Sequence, residues 1–364
     1  MNTMKRKKIL VLCPSPQGTN PGQRLKYEQY FKSWNKAGYD VTVSSFQTPR
    51  FWKIIYQPGH IPEKIWWTIF GFFKRVFDIL RMPFYDGVYV FLWVTPIGLP
   101  LMENLVSIVA KHLIYDIDDM VYLGDTSAAN KWIAKLKGPE KMIVLMKNAN
   151  HVIVSTPRIN EYVAQYNPHR TYISTTYNTD RFVPVAAYHK HEVTTLGWTG
   201  SHTTIKYLHL LDNVFKELSK LRKIKVLAIS NGTYTCEGVN VENITWTEAN
   251  EISDLHRIEI GLYPITKDEW ALGKNACKSM TYMSCALPSV ATNYGPSLLV
   301  VDNGINGFLA DTDQQWVDVL VSLIDNIELR KQIGLNGRQK AVNQFSVKAN
   351  EGKYLKVLEQ VFGK

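Results

Sequence analysis

Two segments of this chain read as a strand that breaks into a glycine-containing turn and then enters a helix. One lies just past mid-chain, where residues 195–198 precede the turn 199–204 and a helical pattern begins at residue 205. The other lies in the first 24 residues, where 8–13 read as a strand and 14–24 as a polar loop. Glycine permits tight turns and close approach of a ligand, and a helix N-terminus offers unpaired N–H groups to a phosphate. Two such openings predict two α/β domains facing a cleft.

Strands and helices alternate along both halves, which predicts two doubly wound, Rossmann-like parallel sheets. The predicted strands are 8–13, 40–46, 87–94, 113–116, 151–155, 172–174, 195–198, 225–229, 241–244, 258–263, 289–291 and 307–310. The main predicted helices are 24–37, 101–112, 140–148, 158–166, 205–220, 250–256, 274–284, 314–326 and 328–344. Residues 178–191 lack periodicity and are predicted to link the domains. We therefore predict domains at 1–180 and 192–345, with a last helix in 346–364 that packs back on the first.

Composition narrows the possible classes of protein. The chain has 364 residues, of which 45% are hydrophobic, enough for two cores. Its four cysteines show no metal-ligand spacing, which favours reduced thiols in the cytoplasm. The net charge of +10 favours phosphorylated substrates or an anionic membrane surface, and without a recognisable nucleic-acid motif we expect no nucleic-acid partner. No stretch reaches the roughly 18–20 uncharged apolar residues of a spanning helix.

Residues 50–84 form an aromatic and basic insertion in the first domain. The segment holds three tryptophans, six basic residues and two acids. Its apolar residues recur at helical spacing, at positions 65, 69, 72, 73, 76, 77 and 80. Tryptophan and positive charge on one amphipathic helix are typical of a helix lying in a membrane interface. The alternatives are a helix packed on the sheet or one that covers a partner. We expect a peripheral protein at the inner face of the cell membrane.

Two lysines mark the strongest candidate site of the second domain. Lys274 and Lys278 are four apart, so a helix over 274–284 would place both on one face of its first turns. Cations do not complement that end of a helix dipole, and a bound di-anion would remove the conflict. The alternative is a solvated face. Asp268 and Glu269 could hold sugar hydroxyls or cap the helix. Further candidates for the same pocket are Gly200 and Ser201 of the turn, Lys206 in the helix after it, and Trp246 after the strand 241–244.

Three aspartates end a predicted strand of the first domain. Asp116, Asp118 and Asp119 follow or close the strand 113–116, and open α/β sheets bind ligands at the carboxyl ends of their strands. Such a cluster could orient an acceptor hydroxyl, act as a base, or hold a divalent metal. The alternative is a turn and capping cluster. We expect Asp116, Asp118 and Arg24 to bind an acceptor and Asp119 to take part in catalysis, with no metal.

Eight strings of the chain resemble retaining nucleotide-sugar glycosyltransferases of the GT-B fold, in glycosyltransferase family 4. Within that family the chain is most similar to a bacterial subgroup that builds surface polysaccharides. The strings are PGQRLKYEQY (21–30), LIYDIDD (113–119), YNTDRFVP (177–184), LGWTGSHTTIKYL (196–208), ITWTEANEISDL (244–255), EWALGKNACKSMTYM (269–283), GINGFLADTDQQW (304–316) and LRKQIGLNGRQKAV (329–342).

The resemblance implies a donor nucleotide on the C-terminal domain and an acceptor on the N-terminal one. By position, Lys206 matches the lysine on the donor diphosphate, and Gly22 lies in the loop that approaches the transferred sugar. The family's paired glutamates fall on Gly273 and Thr281 and its arginine on Gly200, so all three charges are missing. Lys274 and Lys278 are expected to neutralise the leaving diphosphate instead.

The implied activity is transfer of a sugar, with retention, from a nucleotide sugar to a lipid-linked or growing glycan in surface polysaccharide synthesis. The leaving phosphate would accept the proton, so no metal or other cofactor is expected. The alternative is a non-catalytic GT-B subunit that binds a nucleotide sugar or glycan in an assembly.

Overall fold

The computed structural model describes residues 6–123, 140–189 and 191–363. The chain divides into two compact units. Unit 1 comprises Met1–Thr175 with Asn350–Lys364, and unit 2 comprises Thr176–Ala349. Each unit contains one six-stranded sheet in which all strand pairs are parallel.

The strand order in the sheet of unit 1 reverses between its first and third strands. Its strands are β1 (Lys7–Cys13), β2 (Tyr39–Ser45), β3 (Gly87–Phe91), β4 (Leu113–Ile117), β5 (His151–Val154) and β6 (Arg170–Tyr172). They lie in the order β2-β1-β3-β4-β5-β6. Strands β3 and β4 are buried along their whole length, as expected of a parallel sheet covered on both faces. A crevice for a ligand is expected at the carboxyl ends of β1 and β3, where the order reverses.

The sheet of unit 2 has the Rossmann strand order. Its strands are β7 (Thr194–Thr199), β8 (Ile224–Ile229), β9 (Val241–Ile244), β10 (Ile260–Tyr263), β11 (Ser289–Thr292) and β12 (Phe308–Ala310). They lie in the order β12-β11-β10-β7-β8-β9, so the reversal falls between β7 and β10. Gly197 of β7 is paired there with Gly261 of β10.

Helices connect the strands in both units. In unit 1 the α-helices are Pro21–Arg24, Phe31–Lys36, Pro49–Ile54, Ile61–Arg81, Leu101–Val109, Glu140–Asn148, Pro157–Ala164 and most of Val347–Phe362. In unit 2 they are Asp212–Leu221, Glu251–Leu255, Glu269–Leu272, Cys277–Ser284, Ser297–Val300, Asp313–Asp325 and Ile327–Lys340. We call Ile61–Arg81 the insertion helix and Cys277–Ser284 the site helix.

Several predicted elements are shorter or broken in the structure. The predicted helix 24–37 is replaced by two short α-helices with a 3-10 turn, Glu28–Tyr30, between them. The predicted helix 205–220 begins as a 3-10 helix, Ile205–Leu211. Strand β3 ends at Phe91 because Leu92 adopts a left-handed backbone with φ of 61°.

The described part of the predicted linker 178–191 contains no helix or strand. The chain enters unit 2 at Thr176, and the described part of the segment lies on that unit. Arg338 donates to the backbone oxygens of Thr179 and Phe182. These hydrogen bonds satisfy carbonyl groups that have no partner in a helix or strand.

The last helix packs against unit 1. The ring of Tyr354 lies 4.5 Å from that of Tyr30 and 5.9 Å from that of Trp34. A Cβ placed on Gly87 would come within 2.1 Å of the Phe362 ring, so the start of β3 requires glycine. In the described part of the chain no helix has the length and apolar character needed to cross a bilayer.

Candidate functional site

Tyr282 of the site helix connects β7 and β10, the two strands between which the order of unit 2 reverses. The Tyr282 hydroxyl accepts a hydrogen bond from the Thr199 N–H at 3.1 Å and donates to the Leu262 carbonyl at 3.1 Å. Its ring fills the space above Gly261, where a Cβ would lie 2.3 Å from the ring. The site helix is thereby fixed across the carboxyl ends of β7 and β10.

Lys278 of the site helix lies at this point between two aromatic rings. Its Nζ is 5.4 Å from the ring centroid of Trp198, on β7, and 5.4 Å from that of Tyr263, which ends β10. Within the described ranges it forms no ion pair and no hydrogen bond. Burial lowers the pKa of Lys278; Cys277 opposes this change, and the charge of Lys274 adds to it. A half-buried ammonium without a carboxylate partner is suited to an anionic ligand.

Lys274 lies outside the site helix, so the predicted shared helix face is wrong. The helix begins at Cys277, and residues 273–276 separate it from the short helix Glu269–Leu272. Ala276, fully buried before the site helix, has a left-handed backbone with φ of 49°. Such strain in a residue with a side chain concentrates at functional sites. The Lys274 Nζ lies 4.5 Å from the Trp270 ring centroid.

The turn after β7 requires glycine at position 200. A Cβ on Gly200 would lie 2.5 Å from the Trp198 ring and 2.9 Å from the Thr204 hydroxyl. The arginine expected from the family therefore cannot enter without displacing Trp198, one of the two rings beside Lys278. Ser201 and Lys206 are both exposed, and the Lys206 Nζ lies 5.4 Å from the Tyr207 ring centroid.

Asp268 has the capping role that was one of its two predicted alternatives. It caps the helix Glu269–Leu272 by accepting from the Ala271 N–H at 2.8 Å, and it also accepts from the Thr266 hydroxyl at 2.6 Å. Glu269 is exposed and Trp246 half-buried.

Thr281, at the position of a family glutamate, is turned into the protein. It is 9% exposed, and its hydroxyl donates to the Cys277 carbonyl at 2.9 Å and lies 2.9 Å from the Tyr177 hydroxyl. It therefore does not replace the missing carboxylate.

In unit 1, Gly22 and Asp118 come together. A Cβ on Gly22 would lie 3.4 Å from Oδ2 of Asp118 and 3.9 Å from the ring of Phe91, at the end of β3. Oδ1 of Asp118 accepts from the Ser155 hydroxyl at 2.7 Å. Burial raises the pKa of Asp118, and Lys26 opposes the rise. Asp118 thus lies beside the glycine loop at the carboxyl edge of the sheet, as the sequence predicts for a ligand carboxylate.

Asp116 does not bind an acceptor from this position, which corrects the prediction. It is 0% exposed and forms an ion pair with Lys26 at 2.9 Å. It also accepts from the Tyr89 hydroxyl at 2.5 Å. Its location inside β4, whose residues are all buried, explains the difference.

Sequence reasoning missed Lys26, which organises this network. Its buried Nζ also donates to the Ser155 hydroxyl at 2.8 Å and to the Ile173 carbonyl at 3.1 Å. The available signal was its spacing, because it shares a face with Tyr30 and Trp34, four and eight residues away in a predicted helix. A lysine on such a face must meet a buried acceptor.

The other two predicted residues of unit 1 lie at the margin of this site. Asp119 is half-buried and accepts from the Met120 N–H at 3.0 Å. Arg24 ends the helix Pro21–Arg24 and is half-buried. No group of three or more His, Cys, Asp or Glu residues in the described ranges is arranged to hold a metal ion.

Comparisons with known proteins identify the fold. No protein-family model matches the chain, and no curated protein matches its sequence. HepE from Anabaena, solved with UDP and glucose, superposes with a TM-score of 0.67 at 13% identity, covering 98% of this chain and 100% of HepE. Sucrose-phosphate synthase from Thermosynechococcus elongatus gives 0.68 at 14% identity, covering 98% and 99%. A glycosyltransferase from Rickettsia africae gives 0.67 at 13% identity, covering 98% of each chain. The predicted GT-B fold of two Rossmann-like domains is confirmed.

Proposed function

We propose that this protein is a glycosyltransferase that takes its sugar from a nucleotide-sugar donor bound to unit 2. The observation that carries the proposal is Lys278, an ammonium at the reversal point of a Rossmann sheet that has no carboxylate partner among the described residues. Proteins that share this fold include one solved with UDP and glucose. A diphosphate bound at the same edge of the sheet would be an anionic partner for the Lys278 ammonium.

Donor binding would use the lysines and the turn together. Lys278 and Lys274 would contact the diphosphate, with Lys206 and the backbone of Gly200 and Ser201 approaching from the turn after β7. Trp246 and Glu269 stay candidates for base and sugar contacts. The chemical role of the two lysines would be to stabilise the charge that develops on the leaving nucleoside diphosphate.

We further propose a retaining transfer in polysaccharide synthesis, with a lipid-linked or growing glycan acceptor on unit 1. The bond between the anomeric carbon and the phosphate oxygen breaks, and a bond from that carbon to the acceptor oxygen forms on the same face. The proton of the acceptor hydroxyl passes to the departing phosphate, so the reaction needs no metal to account for that proton. Arg24 and Asp118 would orient the acceptor, with Asp119 beside them.

The first test is nucleotide binding followed by turnover. UDP should raise the melting temperature of the full chain in the absence of metal, because a ligand that binds only the folded state stabilises it. Release of nucleoside diphosphate from a panel of nucleotide sugars should then require an acceptor glycan. Nucleotide binding without turnover on any acceptor would favour the non-catalytic alternative, and no response to any nucleotide would contradict the proposal.

Replacing Asp118 with Asn tests acceptor binding separately from donor binding. We expect transfer to fall by about 10- to 100-fold, the scale of a lost charged hydrogen bond, with UDP affinity unchanged. Asn keeps an oxygen for the Ser155 hydroxyl. The measurements are acceptor KM and kcat together with a UDP titration. A wild-type rate, or a loss of UDP affinity equal to the loss of rate, would remove Asp118 from this role.

A further inference from the structure

The insertion helix presents a continuous apolar face to solvent. Among its exposed side chains, Phe73 is 69%, Phe77 62% and Leu80 70% exposed. The other exposed apolar residues of the helix are Ile61, Ile65, Trp66, Ile69, Phe70 and Val76. At about 3.6 residues per turn these positions form one stripe, directly opposite the buried residues Gly71, Arg75 and Asp78. Twenty-one residues make the stripe about 31 Å long.

The apolar face continues onto a second helix that the sequence did not associate with it. The helix Leu101–Val109 lies against the insertion helix. Its Leu101, Leu105 and Ile108 are exposed at helical spacing, and Ile108 is 77% exposed. We call the two exposed faces together the apolar platform. An apolar surface spread over two adjacent helices exceeds the scattered exposed residues normal for a soluble domain and indicates an interaction site.

The insertion helix is fixed firmly to unit 1 by its opposite face. Arg75 is fully buried and pairs with Asp78 at 2.8 Å. Its guanidinium also donates to the carbonyls of Cys13 at 2.8 Å, Ser44 at 3.1 Å and Val94 at 2.9 Å. These carbonyls lie at or just beyond the carboxyl ends of β1, β2 and β3. The helix is thereby attached to the edge of the sheet that carries Gly22 and Asp118, and its apolar face cannot turn inward.

The charges around the platform are positive. Lys53 and Lys111, on the segments beside the two helices, are exposed. Lys74 and Arg81 lie along one border of the stripe and are half-buried; Arg81 pairs with Asp78 at 2.7 Å, and Lys74 donates to the Ser45 carbonyl at 2.7 Å. The acidic side chains are withdrawn: Asp78 and Glu103 are 0% exposed, and Glu63 is paired with Arg50 at 2.5 Å. An apolar stripe with a cationic border and no exposed, unpaired carboxylate along the described helices complements an anionic lipid surface.

We propose that the apolar platform is a membrane-docking surface, with the insertion helix lying in the plane of an anionic bilayer. Trp66 and the phenylalanines would enter the interface, and Lys53 and Lys111 would contact lipid phosphates. Docking at the sheet edge that carries Gly22 and Asp118 would bring a lipid-linked acceptor to the acceptor site proposed above. Lipid binding itself does not depend on the proposed transfer, so either can fail alone.

Vesicle sedimentation of the full chain tests the proposal. The protein should sediment with vesicles of phosphatidylglycerol and phosphatidylcholine at low salt and be largely released by high salt, because exposed charges are then screened. The variant Ile69→Ser/Phe73→Ser/Phe77→Ser should lower the apparent affinity on the order of 10- to 100-fold. Lys53→Gln/Lys111→Gln should weaken binding to anionic vesicles and leave the weak binding to neutral ones unchanged. An unaltered melting temperature and circular dichroism spectrum would show that each variant is folded.

Matched controls come from exposed residues of unit 2. Leu210→Ser/Leu298→Ser/Leu299→Ser and Lys216→Gln/Lys220→Gln should bind vesicles as the wild type does. Absence of sedimentation at low salt would overturn the proposal, and so would equal losses in the control and platform variants. A concentration-dependent dimer that the triple platform variant abolishes, with no vesicle binding, would assign the platform to a second copy of the chain instead.

Discussion

Lys278→Met should lower sugar transfer by about 10- to 1000-fold while leaving the folded protein as stable as before or more stable. The loss of rate follows from removing a cation that stabilises charge on the leaving diphosphate. The gain in stability follows from the burial of the ammonium beside two rings, which lowers the pKa of Lys278 because the folded protein disfavours its charged form. Methionine keeps an unbranched apolar chain between Trp198 and Tyr263 without that cost.

A loss of transfer together with unchanged or increased stability distinguishes a ligand-binding lysine from a structural one. UDP titration, steady-state transfer and thermal denaturation of the same preparation provide the three readouts. Lys274→Met should also lower transfer, and Lys220→Ala, on an exposed helix of unit 2, should change nothing. A Lys278→Met protein with wild-type UDP affinity and wild-type transfer would remove the lysine from the donor site.

Lys26→Met should destabilise unit 1 by about 3–5 kcal/mol. The substitution leaves Asp116 as a fully buried carboxylate without its cation, and removing one partner of a buried pair costs far more than the pair itself contributes. Tyr89 still donates to Asp116, so part of the charge remains stabilised. Hydrogen exchange of peptides from β4 and β5 under native conditions would report the loss within unit 1.

A double variant and a surface control complete this test. Lys26→Met/Asp116→Asn should recover part of the stability, because the uncompensated charge is gone. Lys32→Met, on the exposed side of the next helix, should shift stability by no more than about 0.5 kcal/mol. Unchanged exchange in the Lys26 variant would contradict a structural role for the pair.

The two α/β units were predictable because their signals are local. Apolar runs bounded by turns mark most of the twelve strands, and their alternation with helices leaves a parallel sheet as the expected arrangement. Prediction failed where the backbone departs from the regular pattern. Leu92 and Ala276 adopt left-handed conformations that periodicity cannot reveal, and each one ends or delays an element.

In the candidate sites, too, local features were predictable from the sequence and contacts between distant residues were not. Asp118 and Gly22 were predictable as neighbours, since both follow strands at one edge of a sheet. The partners of Lys278 were not, because Trp198 and Tyr263 are far apart in sequence and meet only where the strand order reverses between β7 and β10. The same holds for Lys26, whose acceptors come from β4 and from the ends of β5 and β6.

The sequence by itself determined the two sheets, the glycine turns that open each unit, and the amphipathic character of the insertion, because these depend on residues within a few positions of one another. Tertiary structure alone decided that Asp116 is a buried ion-pair partner, that Lys278 lies between two rings, and that the insertion's apolar face faces solvent and joins the helix Leu101–Val109. The physical reason is that burial and charge pairing are set by which strands become neighbours, and strand order is a property of the whole sheet.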